Sequence, residues 1–330
     1  MKNGEVIVRS LFPVSRIALA LCGLAALGAP AQTYPSKPIR MIVPYAPGGG
    51  VDIMARIISP KLSDSLGQQV VVDNRAGGGA IVGTDLVAKS APDGYTMLMA
   101  NPAHAANPAL HSKLPYDSIK NFSAVGLIAL SSSILVVHPS LPVKSVRELV
   151  ALAKSKPGQL NYASGGVGSA IYLSMELFKS AAGIDVLHIA YKGAAPALSE
   201  VIGGQVPMMF ITTPSALPHV NAGRLRVLAV GSAKRHALLP NVPTVAESGY
   251  PGFENTDWYG VLVAAGTPAN IIGRLNVEIN SALALSDIKE RISALGAEIG
   301  GGTPEQLDER IKAEVRRWAK VLRNIDKDAN

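Results

Sequence analysis

Residues 39–75 read IRMIVPYAPGGGVDIMARIISPKLSDSLGQQVVVDNR. The apolar run IRMIV has the length and branching of a buried strand. Beyond Gly48–Gly50, VDIMARIISPKLSDSLG places Ile53, Met54, Ile57, Ile58 and Leu62 on one helical stripe. Pro60 falls inside that stripe and predicts a bend. QQVVVDNR is a second strand. Strand, amphipathic helix and strand in 37 residues form a βαβ unit, whose natural packing is a mostly parallel sheet with helical crossovers.

The pattern continues in both directions from this unit. AIVGTDLVAKS (80–90) reads as a short helix, Asp93-Gly94 as a turn, and YTMLMA as a third strand. A second unit follows: strand SSSILVVHP, helix Val146–Lys154 opened by the Ser145/Glu148 capping box, and strand LNYASG. Then come helix Ser169–Ala182, strand VLHIAYKG, helix Ala194–Val201 and the strands QVPMMFITT and LRVLAVG. YGVLVAAG is a late strand. Thr267-Pro268 opens a helix running to Leu285, and Thr303-Pro304-Glu305-Gln306 opens the last one. Leu307, Ile311, Val315, Trp318 and Leu322 make that last helix's buried stripe, so Trp318 is a core residue. Two tandem α/β units without a long linker predict two lobes joined by short strand-like crossings, with the cleft between them as the binding place.

At the N-terminus, Lys2, Arg9 and Arg16 precede IALALCGLAALGA, and Ala29-Pro30-Ala31 supplies a small-x-small cleavage pattern. This is a secretory signal peptide over 1–31, its apolar run too short for a membrane span. Cys22, the only cysteine, lies inside it, which leaves the mature chain without disulfides, thiolate metal sites or a cysteine nucleophile. The net charge of +7 comes from scattered Lys and Arg. No basic block or aromatic-basic interleaving marks a nucleic-acid surface.

The chemistry rests on glycines. Gly48 and Gly50 match the first two positions of a dinucleotide fingerprint, but Ile53 stands where the third glycine belongs, and no G-K-[ST] triplet follows. Successive N–H groups ahead of a helix N-terminus still form a generic anion site, or simply a tight turn. YASGGVGS (162–169) repeats the arrangement, with hydroxyls at Ser164 and Ser169. Two such loops facing each other could meet a carboxylate through neutral donors. There is no G-x-S-x-G elbow and no H-E-x-x-H, and the six histidines include no i,i+4 pair. His188, inside VLHIAY, reads as a paired sheet residue. In NTDWYG (255–260), Asp257 is placed to accept from a ligand amine or hydroxyl and Trp258 to wall the cleft; the alternative is a cap and a core aromatic.

These stretches together resemble a known family, the periplasmic substrate-binding proteins of tripartite tricarboxylate transporters (TctC or Bug family). The resemblance runs from about Tyr34 to Ile325, through YPSKPIRMIVPYAPGGGVD, LGQQVVVDNRAGGG, APDGYTML, NYASGGVGS, YKGAAPAL, GGQVPMMF, LRVLAVGSAKRHALLPNVPTVAESGYPG and the W-x-G and GTP of 258–268. It implies a type 2 periplasmic-binding-protein fold, with two αβ lobes closing over a small carboxylate held by a pincer of two loops. Carried over by position, the first loop is Pro47, Gly48, Gly49, Gly50, Val51 and Asp52; the second is Ser164, Gly165, Gly166, Val167, Gly168 and Ser169. YKG adds Gly193 and Ala194, MMFITTPS adds Thr212 and Thr213, and Asp257 and Trp258 fall where the family reads the ligand's far end.

The resemblance further implies a periplasmic monomer with no cofactor, no metal and no catalysis, whose partners are a large and a small membrane subunit. Lobe 1 is expected over 32–134, lobe 2 over 135–254, and a return to lobe 1 over 255–330. A dicarboxylate or amino acid is the first expectation for the ligand, and an aromatic acid the second. The alternatives are a ligand sensor docking on a signalling partner, and a nucleotide-dependent enzyme. Two departures stand out. Val51 replaces the family's usual hydroxyl residue, and Ala76 replaces the proline of the N-x-P-G-A-G-G stretch.

Overall fold

The fold is that of a computed structural model, which describes Met1 and residues 34–328, with side chains as far as Leu322. The expected signal peptide, with Cys22 and the cleavage pattern at Ala31, lies outside the described residues. β1 (Ile39–Val43) buries every residue but Arg40, as a strand covered on both faces must. It pairs in parallel with β2 (Val70–Asn74) and with β3 (Thr96–Ala100). Between β1 and β2 runs α1 (Gly50–Leu66), started by an extended Gly49 and stopped by Gly67 in the left-handed region at φ 68°. Pro60 does not end it. That proline lies on the helix's exposed side, where the carbonyl four residues back can turn to water. After β2 comes α2 (Ile81–Ala88), and β3 leads directly into α3 (Pro102–Leu110).

β4 (Phe122–Val137) is 16 residues long and belongs to both halves of the molecule. Its first part pairs with β9 (Thr256–Ala264) and β10 (Ala297–Ile299); its last five residues pair with β7 (Met208–Thr212) and β8 (Arg226–Val230). Between β4 and β7 lie α4 (Val146–Ser155), β5 (Asn161–Ser164), α5 (Ala170–Ala182), β6 (Leu187–Ala190) and α6 (Ala194–Ile202). β5 is parallel to β6 and to β7. α7 (Thr213–Asn221) connects β7 to β8. After β9 the chain forms α8 (Ala269–Ala284), α9 (Ser286–Ala294), β10 and α10 (Pro304–Asp328).

The strand path is β2-β1-β3-β9-β4-β7-β5-β6, with β8 and β10 attached to β4. The expectation of a mostly parallel sheet is therefore corrected to a mixed one. β9 enters between β3 and β4 antiparallel to both, because it returns from the second half of the chain. All five pairings of β4 and β9 with their neighbours are antiparallel. The first half's core includes Ile42, Leu98, Trp258, Leu262, Leu307 and Ile311. The second half carries an aromatic nucleus in which Phe178 meets Phe210, Tyr250 and Phe253 edge-on at 5.7–6.4 Å. Trp318 of α10 is 1% exposed and packs with Leu322, Ala105 and Ala106 of α3, and Leu173 of α5, as the helix stripe required.

Candidate functional site

Five of the strands with parallel partners, β1, β3, β5, β6 and β7, end at one rim, and the helix that follows each starts there. This places five helix N-termini around one cavity of about 40 Å³, room for on the order of three waters. The N-cap residues are Gly49 (α1), Asn101 (α3), Ser169 (α5), Gly193 (α6) and Thr212 (α7). Only Ser169 caps its own helix, accepting from Tyr172 N–H at 3.3 Å; the other four make no side-chain cap. Pro102, Pro196 and Pro214 carry no N–H, and His104 N–H reaches the Asn101 carbonyl at 2.9 Å. The remaining first-turn N–H groups lack the acceptor four residues back that later turns have, and the helix dipoles add positive potential at the same point. None of the lining residues is Lys, Arg or His.

Of the residues singled out by sequence, Gly49, Gly50, Val51, Gly165, Ser169, Ala194, Thr212 and Asp257 line this cavity. Both glycine loops contribute to its lining, through Gly49 and Gly50 on one side and Gly165 and Ser169 on the other. The first loop also meets the β6–α6 loop: Ala46 N–H donates to the Lys192 carbonyl at 3.2 Å, and a Cβ on Gly49 would stand 3.2 Å from the Ala194 Cβ. A Cβ on Gly50 would run into the Tyr259 and Thr212 hydroxyls. Glycine is therefore needed here for close approach, apart from any question of backbone angle.

The remaining candidates shape the loops and do not line the cavity. Asp52 is 3% exposed and spends its carboxylate on Gly48 N–H, Arg56 Nε and Asn74 Nδ2, each at 2.9 Å. Burial works to raise its pKa, but those bonds outweigh burial and hold it below the ordinary carboxylate value. Gly48, the donor, thus has its N–H committed inside the loop, next to Pro47. Ser164 is bonded to His188 Nε2 at 2.6 Å and accepts from Gly166 N–H at 3.0 Å, so its hydroxyl braces the second loop. His188 is thereby a paired sheet residue. Gly168 sits against Asn107, and Gly193 against Ala46, both with positive φ. Thr213 donates to the Ser132 carbonyl at 2.9 Å.

Trp258 is corrected outright. It is 1% exposed and packed in the first-half core, on the opposite face of β9 from the cavity. Alternation along the strand decides this: residues 257 and 259 point one way and 258 the other. The wall residue is therefore Tyr259, which the sequence reading passed over. Tyr45, Asn101, Ala170 and Ile171 were also missed and line the cavity. Asn101 carried a readable signal, since Asn-Pro directly after a strand marks a helix start.

Two titratable features stand out. Tyr45 donates to Asn101 Oδ1 at 3.3 Å, and burial pushes both it and Tyr259 well above the usual phenol range. Asp257 is 2% exposed, and its Oδ1 has no hydrogen-bond partner. Burial, with the Glu314 charge added, pushes its pKa up to about 7.

A model of the tripartite tricarboxylate transporter family receptor matches residues 54–327. The chain belongs to that family. Among its relatives, BugT of Bordetella pertussis is 41% identical over 315 residues, covering 95% of this chain and 96% of that one. A Pseudomonas protein from the tcbD-tcbE intergenic region is 42% identical over 315 residues, with 95% and 94% covered. Among solved structures, an R. palustris protein with adipate superposes at a TM-score of 0.86 and 36% identity, covering 89% of this chain and 98% of that one. MatC from Rhodopseudomonas palustris, with bound malate, superposes at 0.85 and 32%, covering 87% and 99%. The receptor is a two-lobed periplasmic solute-binding protein of a transport family.

Proposed function

We propose that this receptor captures a small organic acid, such as a dicarboxylate, with one carboxylate group seated in the cavity where the five helix N-termini converge. One observation carries the reading: uncapped N-terminal N–H groups from both halves surround a cavity without a cationic side chain. Such a site recognises a carboxylate by directed donors and dipoles, and only when the two halves come together. Relatives solved with adipate and with malate support the ligand class.

The ligand acts by stabilising the closed arrangement, a shift of population and not a chemical step. The two halves turn about β4 and the 231–256 return, with lobes over 32–134 and 255–330 on one side and 135–254 on the other. The closed form is presented to the large and small membrane subunits of a tripartite transporter after a signal peptide ending near Ala31 is removed. A thermal-shift screen of the purified protein tests this, since a ligand stabilises the folded state by mass action. Stabilisation by C4 to C6 dicarboxylates supports the reading. A shift with nucleotides and none with any acid overturns it.

A further inference from the structure

The anion cavity contains an acid of its own. Asp257 lines it from β9, is buried, and leaves Oδ1 without a partner. No lysine, arginine or histidine shares the lining to neutralise it. A ligand carboxylate drawn in by the helix N-termini therefore enters a small space lined by buried residues, beside a second carboxyl. Two carboxylates confined in one such space do not both stay ionised; one of them takes a proton.

We propose that capture of an acid by this receptor is coupled to uptake of one proton, carried by Asp257, which then donates its O–H to the bound ligand. This inverts the role expected from sequence, in which Asp257 accepts from a ligand amine or hydroxyl. It rests on the carboxylate-capture reading given above. In the bound state the proton comes from solvent, stays on Asp257 and is shared in a hydrogen bond to the ligand's oxygen. No bond other than hydrogen bonds forms or breaks.

The groups around Asp257 favour this assignment. Glu314 of α10 adds negative charge, offset in part by its ion pair with Arg317 at 3.3 Å. Tyr45, from the β1–α1 loop, and Tyr259, on β9 itself, are held neutral by burial. His104 of α3, buried and bonded to the Ser118 carbonyl at 2.8 Å, is pushed down to about 4 by burial and adds no charge. β4 presents Ser131 opposite Asp257, and β3 carries no titratable residue. With the acid already raised to about 7, little free energy separates the free protein from the protonated, ligand-ready form. The converging helix N-termini oppose an ammonium in the same space, which argues against an amino acid as the occupant.

Calorimetric titration with adipate and with malate between pH 6.0 and 8.5, a range in which both acids are predominantly dianions and their own protonation is corrected for, tests the coupling. The expected result is affinity about thirtyfold weaker at pH 8.5 than at pH 6.0. Binding heats at pH 8 should also vary with buffer ionisation enthalpy, by an amount matching nearly one proton taken up. Asp257→Asn, which offers a permanent N–H donor, should bind with no such slope. A flat wild-type profile, a slope unchanged in Asp257→Asn, or proton release on binding would overturn the coupling while leaving carboxylate capture in place. Absence of binding by any acid at every pH would overturn the capture reading, and this inference with it.

Discussion

Val51 stands at the second position of α1, 7% exposed and lining the cavity, where the family resemblance leads to the expectation of a hydroxyl residue. Threonine has the same branching, so Val51→Thr adds one donor with little repacking. It should tighten binding of malate over adipate by about fivefold, the worth of one hydrogen bond, as read by calorimetry. Asp52, one residue on, does a different job. Its three 2.9 Å bonds fix the loop that presents Gly49 and Gly50. Asp52→Asn should cost about 2 kcal/mol in denaturant unfolding at pH 7. The sign with pH follows from its lowered pKa. The carboxylate contributes stability above its unfolded value, near pH 4, and that contribution is lost as pH falls through the lower folded value. The gap between mutant and wild type should therefore narrow as pH falls below the unfolded carboxylate value and close once pH is below the folded one. At this scale the sequence showed which residues lie near the site, but not which way each points. Asp52, Ser164 and Trp258 were all placed at the right junctions, yet two of them turn into their loops and one into the core. A side chain's direction depends on partners distant in sequence, such as Asn74 for Asp52 and His188 for Ser164.

Elements were legible wherever a single helix or strand buried its own stripe. α1, α4, α5 and α10 follow from periodicity and caps, and Ser145 does accept from Glu148 N–H. α3 and α7 escaped because each is nine residues long, holds an internal proline and starts without a loop after its strand. Both nonetheless bring an N-terminus to the cavity. The parallel expectation failed for a similar reason. βαβ units announce parallel neighbours, whereas β9 joins its sheet only after the second half of the chain has been made. The loops between elements set how closely the halves approach. Gly193, at φ 142°, caps α6 with its Cα against the Ala46 amide, and an added Cβ would lie 3.1 Å from that nitrogen. Gly193→Ala is accordingly expected to leave far-UV circular dichroism unchanged and to lower acid affinity at least tenfold. X-ray scattering of the mutant should show no contraction on adding acid.

For the whole molecule, the two halves are joined where β4 and the return to β9 cross. Gly231 N–H donates to the Ser133 carbonyl at 2.7 Å, and Asn255 N–H to the Gly231 carbonyl at 2.8 Å. Each half has its own core, and Trp318 and Leu322 of α10 also pack against Leu173 of α5 in the other half, so the crossing strands are one of the places where the halves are tied together. The tandem α/β reading and the cleft between halves were legible from the order of elements, because connectivity is a property of the sequence. The charge balance of the cleft was not. Five helix N-termini facing an Asp257 whose Oδ1 lacks a partner is a product of folding, and on the proposed reading it makes selection for an anion an electrostatic property of the closed form. The most direct measurement compares adipate with adipamide, its uncharged diamide of the same length, by calorimetry at pH 6.5. The account predicts that adipate binds at least a hundredfold more tightly than the diamide. Equal affinities for acid and diamide would contradict it.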